Sequence, residues 1–312
     1  MTVRILKGGV QTTLQGPPRV GLRHLGVPAS GAADRLSMAL ANKLVGNPAE
    51  ATALETTLNG VTLEFRKAAT FAITGATALV RVNGHEIEAH RSYAVRRGDV
   101  LDVGAAIRGA RSYVAFAGRL RSDVVLGSDS TYIPAGLGGH CGRALIKGDE
   151  LQIEHSRSVP QLTTPDRFRP PMSSSWMLRA TRSSETGHLR GASRLFGKKL
   201  RVGHRNDRMG IRLSGDTFTT DIEGDMPSVP VFPGIIQCPG DGSLYLLSVD
   251  AQTTGGYPRI AKVTRADMHL LGQLRPGDSM TLLERDDSVS ARELREKLAY
   301  WKQWLPEIAS VI

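Results

Sequence analysis

Two cysteines, Cys141 and Cys238, are all that the 312 residues contain, and they stand far apart with no CxxC spacing. That excludes a disulfide framework and a cysteine-built zinc site, and it fits a reducing compartment. Aromatic residues make up 5% of the chain, too few for a base-stacking platform, and no recognition-helix signature accompanies them. No window approaches the roughly 18 uncharged apolar residues that a membrane-spanning helix needs. The segment from Met1 to Val10 carries Arg4 and Lys7 and then runs into Gly8 and Gly9, without the apolar stretch of a secretion signal. The expectation is a soluble, cytoplasmic protein with neither a membrane nor a nucleic acid as its partner.

What the chain does have in excess is positive charge, a net +10. The imbalance is regional: between Pro165 and Leu213 there are twelve Lys or Arg against three acids, a local excess of nine. Such a run reads as a solvated basic face, a site for an anionic ligand such as a nucleotide, or a surface for an acidic partner.

Most of the chain alternates in the manner of short strands punctuated by glycine turns. Val61 to Phe65, Thr70 to Thr74, Ala78 to Val82 and Ser112 to Ala117 are β-branched or alternating runs, and Asn83-Gly84 is a type I′ hairpin signal. A Gly-Asp pair recurs ahead of an alternating run at Gly98-Asp99, Gly148-Asp149 and Gly277-Asp278, each predicting a turn that feeds a strand. Two helices stand out. Asp34 caps a segment with Leu36, Leu40 and Leu44 at helical spacing, stopped by Gly46 and Pro48. Near the end, Ser290 and Glu293 form a capping box ahead of the stripe Leu294, Leu298, Trp301 and Leu305. The length prior of roughly 100 to 200 residues per domain calls for two domains. The proline- and serine-rich stretch Ser156 to Ser175 is the expected divide, giving a β-rich domain over 1–157, a second over 176–287 and a terminal helix over 288–312.

Candidate chemistry concentrates between Leu244 and Ile260. An apolar strand there delivers Asp250, Gln252, Thr253 and Thr254 into the Gly255-Gly256 turn, followed by Tyr257 and Pro258. Polar groups at the end of a buried strand need partners, and paired glycines let a backbone approach a ligand closely. Arg208 and Arg212 are candidate forks for a phosphate or carboxylate, although an arginine beside Asp207 also suits a structural ion pair. Asp34 is either a plain helix cap or part of a site with Arg23 and His24. Other patterns fall away. Gly191 to Lys198 resembles a phosphate-binding loop, but five residues separate its glycines and Lys199 stands where Ser or Thr would hold magnesium. Strand alternation puts His85 and His90 on opposite faces, which argues against metal at His85, Glu86, Glu88 and His90. His140 and Cys141 are neighbours that seldom face one another, with no third orienting group.

The run Gln252-Thr253-Thr254-Gly255-Gly256-Tyr257-Pro258 resembles a hallmark of the KipA, or allophanate hydrolase subunit 2, family. Further hallmarks follow in order: Leu25 to Asp34, Ala41 to Pro48, Leu126 to Tyr132, Asn206 to Leu213 and Pro233 to Gln237, so the resemblance covers Gly9 to Leu283. It implies a mostly β protein of two β-barrel-like, cyclophilin-like domains with a few short helices and a C-terminal helix. It also implies kinship with the carboxyltransferase part of urea carboxylase and with the C component of ATP-dependent 5-oxoprolinase. The partners implied are a KipI or allophanate hydrolase subunit 1-like protein and a LamB/YcsF-type A component; ATP is bound by the complex. Catalytic roles are expected of Asp250, Gln252 and Arg208. Substrate contacts are expected from Thr253, Thr254, Gly255, Gly256, Tyr257, Arg212, Arg23, His24 and Asp34, with no metal. A biotin-dependent carboxyltransferase and a non-enzymatic antagonist of a KipI-type kinase inhibitor are the alternatives. The chain departs from the family pattern in four places: Gly16 replaces an acid, Ala33 a methionine, Arg119 a glycine, and Arg182 to Glu185 the usual Gly-Pro-Glu loop.

Overall fold

The computed structural model describes residues 2–215, 217–222 and 226–312. It divides into two compact units. The first comprises Met1–Arg19, Ser30–Met172 and Trp301–Val311; the second comprises Val20–Ala29, Ser173–Tyr300 and Ile312. The architecture is mostly β, as expected.

Ten strands build the first unit: β1 (Thr2–Lys7), β2 (Gln11–Gln15), β3 (Ala53–Thr57), β4 (Thr62–Phe65), β5 (Ala69–Val82), β6 (His85–Ile87), β7 (Ser92–Val95), β8 (Val100–Phe116), β9 (Arg119–Leu120) and β10 (Glu150–Glu154). They form one antiparallel sheet in the order β2-β3-β8-β4-β1-β10-β9, with β5 branching off β8 and carrying β6 and β7. Asn83 and Gly84, at φ 52° and 81°, make the two-residue turn between β5 and β6, which is the left-handed pair a type I′ turn requires. Inward residues Ile5, Leu63, Phe65, Phe71, Val114 and Phe116 meet in one core. Phe65 lies 5.5 Å from Phe71 and 6.2 Å from Phe116 between ring centroids, and each such ring contributes roughly 1.5–3 kcal/mol by burial. Helix α1 (Arg35–Leu44) starts where Asp34 accepts the amide of Ser37 at 2.9 Å. It buries Met38, Ala41 and Leu44 with Ala72, Tyr113 and Ala115 of the sheet.

The three Gly-Asp turns share one device. Asp99, Asp149 and Asp278 each accept the backbone amide three residues earlier, at 2.7, 2.9 and 3.2 Å. The glycine before each sits at φ 89–99°, a conformation in which a side chain is strained. Arg143 holds the Asp149 carboxyl down at about 2.

In the second unit the strands are β11 (Ser175–Arg182), β12 (Lys199–Asn206), β13 (Gly210–Ser214), β14 (Val229–Pro230), β15 (Ile235–Gln237), β16 (Leu244–Leu247), β17 (Thr254–Gly255), β18 (Arg259–Val263) and β19 (Ser279–Glu284). Seven of them close a barrel in the order β11-β18-β15-β16-β13-β12-β19, sealed by a parallel pairing of β11 with β19. Alternate residues point inward, among them Trp176, Leu178, Ala180, Leu200, Val202, Ile211, Leu213 and Met280, all buried. Strands β14 and β17 pair separately.

Parts of the structure differ from expectation. The stretch 156–172 is not a loose divide: Leu162 exchanges hydrogen bonds with Ser92, and the Thr164 amide donates to His90. Residues 20–29 count with the second unit, and the boundary falls after Met172. Helix α2 (Asp287–Lys302) begins a turn before the expected capping box. Asp286 accepts the Val289 amide at 2.8 Å, so a carboxylate takes the capping role from Ser290, while Glu293 pairs with Arg285 instead. A short helix α3 (Ile308–Val311) follows, and no helix among the described residues is long and apolar enough to cross a membrane.

Part of the basic stretch is neutralised by ion pairs. Arg179 pairs with Asp267, Arg182 with Glu284, Arg190 with Asp221 and Arg208 with Asp250.

Candidate functional site

The second unit carries an open cleft of about 900 Å³ at one end of its barrel strands. The end of β12 and the turn after it supply His204, Arg205, Asp207 and Met209; the segment after β15 supplies Pro239, Gly240 and Asp241; β16 supplies Tyr245 and Leu247. Gln237, Gln252 and Tyr257 complete the wall.

The Leu244–Tyr257 segment shows how sequence sets this wall. After β16 the chain keeps its partner for two more bonds, Ser248 amide to Met209 carbonyl at 3.0 Å and Asp250 amide to Arg208 carbonyl at 2.8 Å. It then turns at Ala251, whose methyl is fully buried with Val231, Ile235 and Leu247. Gln252 comes out exposed on the cleft side. A Cβ on Gly255 would lie 2.8 Å from Gln237 Nε2, and one on Gly256 would lie 2.8 Å from the Met226 carbonyl. The paired glycines therefore allow the close approach that brings Gln237 against this turn. Gln237 is 1% exposed. Its Oε1 accepts from Gln252 Nε2 and its Nε2 donates to the Tyr257 carbonyl, both at 3.4 Å, giving a weak amide chain along the floor.

Arg208 and Asp250, expected as catalytic groups, are brought together but not into the cleft. Arg208 Nε and Nη2 donate to the two Asp250 oxygens at 2.7 and 3.1 Å, and the residues are 5% and 3% exposed. The fork expected to receive a ligand is filled by Asp250, so the pair acts as a buried two-pronged tie between the two turns that flank the cleft. Asp207 Oδ1 accepts the Met209 and Gly210 amides at 2.8 and 3.0 Å and shapes the same turn.

Arg23 stands behind Gln252. Its Nη2 donates to the Val231 carbonyl and, at 3.2 Å, to the Gln252 carbonyl, and its guanidinium lies 5.1 Å from the Phe232 ring centroid. Nη1 is buried with no acceptor among the described residues, and burial lowers the pKa. Arg23 thus fixes the backbone of a cleft residue. His24 is exposed beside it. Arg212 lies over Tyr245 at 6.0 Å, its partner across β13 and β16. Thr253 accepts the Val231 amide at 3.0 Å through its carbonyl, and Thr254 pairs with Pro230. Asp34 belongs to the first unit, where it is 1% exposed and spent on the cap of α1 with Ser37; the helix-cap reading describes it.

Residues that sequence reasoning passed over also line the cleft. Arg205 has no carboxylate within 4 Å among the described residues and faces solvent. The Ser243 hydroxyl and amide hold the Asp241 carboxyl below the usual range. Gln237 closes a motif already visible as Pro233 to Gln237, and as a polar group ending an apolar strand it carries the same signal as Gln252. No group of three potential ligands close enough for a metal occurs among the described residues.

The site is a polar cleft with carboxamide groups, a phenol, a guanidinium and a carboxylate, and its described residues include no nucleophile–base pair. It can bind and orient a small polar molecule. Residues 25–284 match the family model for the carboxyltransferase domain, subdomain A and B. The chain is 33% identical over 310 residues to the C component of 5-oxoprolinase from Escherichia coli (strain K12), covering 96% of this chain and 97% of that one. It is 33% identical to urea amidolyase of Saccharomyces cerevisiae over 94% of this chain but only 17% of the amidolyase. Among solved structures, Kluyveromyces lactis urea amidolyase superposes with a TM-score of 0.88 at 29% identity, covering 95% of this chain and 19% of that one.

Proposed function

We propose, from the premise that the chain belongs to the carboxyltransferase-domain family, subdomain A and B, that it serves as the C component of an ATP-dependent 5-oxoprolinase-type complex. Its partners in this reading are a KipI-like protein and a LamB/YcsF-type A component, and its cleft takes the lactam. The observation that carries the reading is that an exposed carboxamide, Gln252, and a cation with no carboxylate within 4 Å among the described residues, Arg205, line the same cleft. A lactam holds its amide in the cis form, so its N–H and C=O lie on one edge and match the C=O and NH₂ of a glutamine side chain. A carboxylate on the same ring suits Arg205.

An amide carbonyl is a poor electrophile. In this reading ATP supplies the phosphoryl group that activates the lactam oxygen, and the residues of this chain bind and orient the ring. Gln252 fixes the amide edge, Arg205 holds the carboxylate, and the Arg208–Asp250 tie keeps both turns in place. The similarity to urea amidolyase supports a second reading, a carboxyltransferase that works with biotin carried on another protein. Urea offers the same amide edge but no carboxylate, so Arg205 favours the lactam.

Reconstitution separates the two. The chain is combined with the KipI-like and LamB/YcsF-type proteins, and glutamate and ADP formation from 5-oxoproline and ATP is followed. Turnover that requires this chain is expected. Equal turnover with the chain omitted, or consumption of urea with carboxybiotin and none of 5-oxoproline, would overturn the assignment.

A further inference from the structure

We infer that the first unit holds a second small-molecule site, built for the ammonium and carboxylate of an α-amino acid with an apolar side chain. A cleft of about 460 Å³ there is lined by Pro17, Pro48 and Ala51 together with Asp129, Arg119 and Arg157. The charges in it are not used on one another.

Asp129 Oδ2 accepts the hydroxyls of Thr52 and Ser122, while Oδ1 has no donor and no cation lies within 4 Å of the carboxylate among the described residues. Arg157 donates from Nη2 to the Gly46 carbonyl at 2.6 Å and to Asn47 Oδ1 at 2.9 Å, both neutral groups. The Arg119 side chain is exposed, and its guanidinium makes no hydrogen bond or ion pair among the described residues. Asp129 and two guanidinium groups thus share a cleft without pairing, while the other carboxylate of the lining, Glu50, is taken by Arg35. Rigid anchoring explains why they stay apart: Asp129 is held by two hydroxyls, and Arg157 by the backbone after α1.

Gly16 stands beside the cleft's carboxylate: a Cβ there would lie 2.5 Å from Asp129 Oδ1 and 2.6 Å from Thr52 Oγ1. The glycine leaves the room that the Asp129 carboxylate occupies. The rim also includes His155 at φ 48°, in the left-handed region that residues other than glycine visit infrequently. A zwitterion is the ligand that satisfies this arrangement, its ammonium on Asp129, its carboxylate on Arg119 and Arg157, and its side chain against the prolines and Ala51.

The test is calorimetric titration of the full chain with L-leucine, with 4-methylpentanoate, which lacks the ammonium, and with 3-methylbutylamine, which lacks the carboxylate. Leucine is expected to bind, and each one-charge analogue to bind at least about tenfold more weakly. Arg119→Ala and Asp129→Asn should each weaken leucine by about tenfold to a hundredfold. Arg119 is exposed, so its variant keeps the wild-type melting temperature and remains decisive if the Asp129 variant unfolds. No leucine binding at about 10 mM, equal binding of the analogues, or undiminished binding by Arg119→Ala would overturn the site.

Discussion

Around Glu55 and Arg19 the first unit closes its polar groups upon themselves, whereas the second leaves those at its larger cleft open. In the first, Glu55 accepts the Ala33 amide and the Tyr113 hydroxyl, each at 2.8 Å, and lies 3.4 Å from Arg111. Burial, with Glu55 and Asp34 alongside, holds Tyr113 well above the usual phenol range, so it stays a donor. Arg19 is fully buried and donates to the carbonyls of Val125 and Ser130. In the second, Gln252, Arg205 and Asp241 stand at a cleft, with the Arg208–Asp250 tie sealed behind them. Distinctive polar motifs thus have two physical origins: completing a buried network and lining a cavity. Both demand particular residues, and only burial tells them apart.

The largest effects should come from the sealed carboxylates. Removing one partner of a buried pair leaves an uncompensated charge and costs about 3–5 kcal/mol. Glu55→Ala in the first unit and Asp250→Ala in the second should both lower the denaturant midpoint on this scale. An unchanged midpoint for Asp250→Ala would move that residue from the closed class to the open one.

Acid should act through buried imidazoles. Burial first, then the charge of Arg169, lowers His90 to about 4 from an ordinary 6.5. Between those values the unfolded chain binds the proton and the folded one does not, so this contribution is complete above pH 6.5 and is lost as pH falls toward 4. At pH 5 the loss is roughly 2 kcal/mol. His90 sits at φ 63°, which asparagine tolerates, so His90→Asn should flatten melting temperature against pH in this window. His269 in the second unit shifts the same way, by burial first and then Lys297 and Arg179. An unaltered slope in His90→Asn would assign the acid sensitivity elsewhere.

Smaller still is Gly16→Ala, which forces Asp129 or Thr52 to move and should cost about 1–2 kcal/mol as overpacking does. A thermal melt indistinguishable from wild type would mean that Asp129 swings aside freely.

Much of the fold was legible because it rests on local rules. Asn83-Gly84 can make one favoured turn, and each Gly-Asp pair supplies a left-handed residue and an acceptor that closes its turn. The capping box failed because Asp286 offers a charged acceptor four residues before Ser290, and periodicity does not rank competing caps. The site was harder. The Gly-Gly turn and Gln252 could be read as lining because they follow an apolar strand. Arg208 could not be told from Arg205, three residues earlier on the same basic stretch: one is buried by a partner 42 residues away and the other is not. That difference lies in tertiary pairing, beyond any local pattern. Arg23 was found, but its work on the Gln252 carbonyl depends on a segment that joins the second unit from far away in sequence.

The most direct test of the open cleft as the lactam site uses the reconstituted complex, with 5-oxoproline set against 2-pyrrolidone, the same ring without its carboxylate. Arg205→Ala is exposed and should melt within about 0.5 kcal/mol of wild type. It should raise KM for 5-oxoproline by about tenfold or more, leave kcat nearly unchanged, and have no effect on 2-pyrrolidone. An unchanged KM for 5-oxoproline, or equal losses on both rings, would contradict the placement of the substrate carboxylate at Arg205.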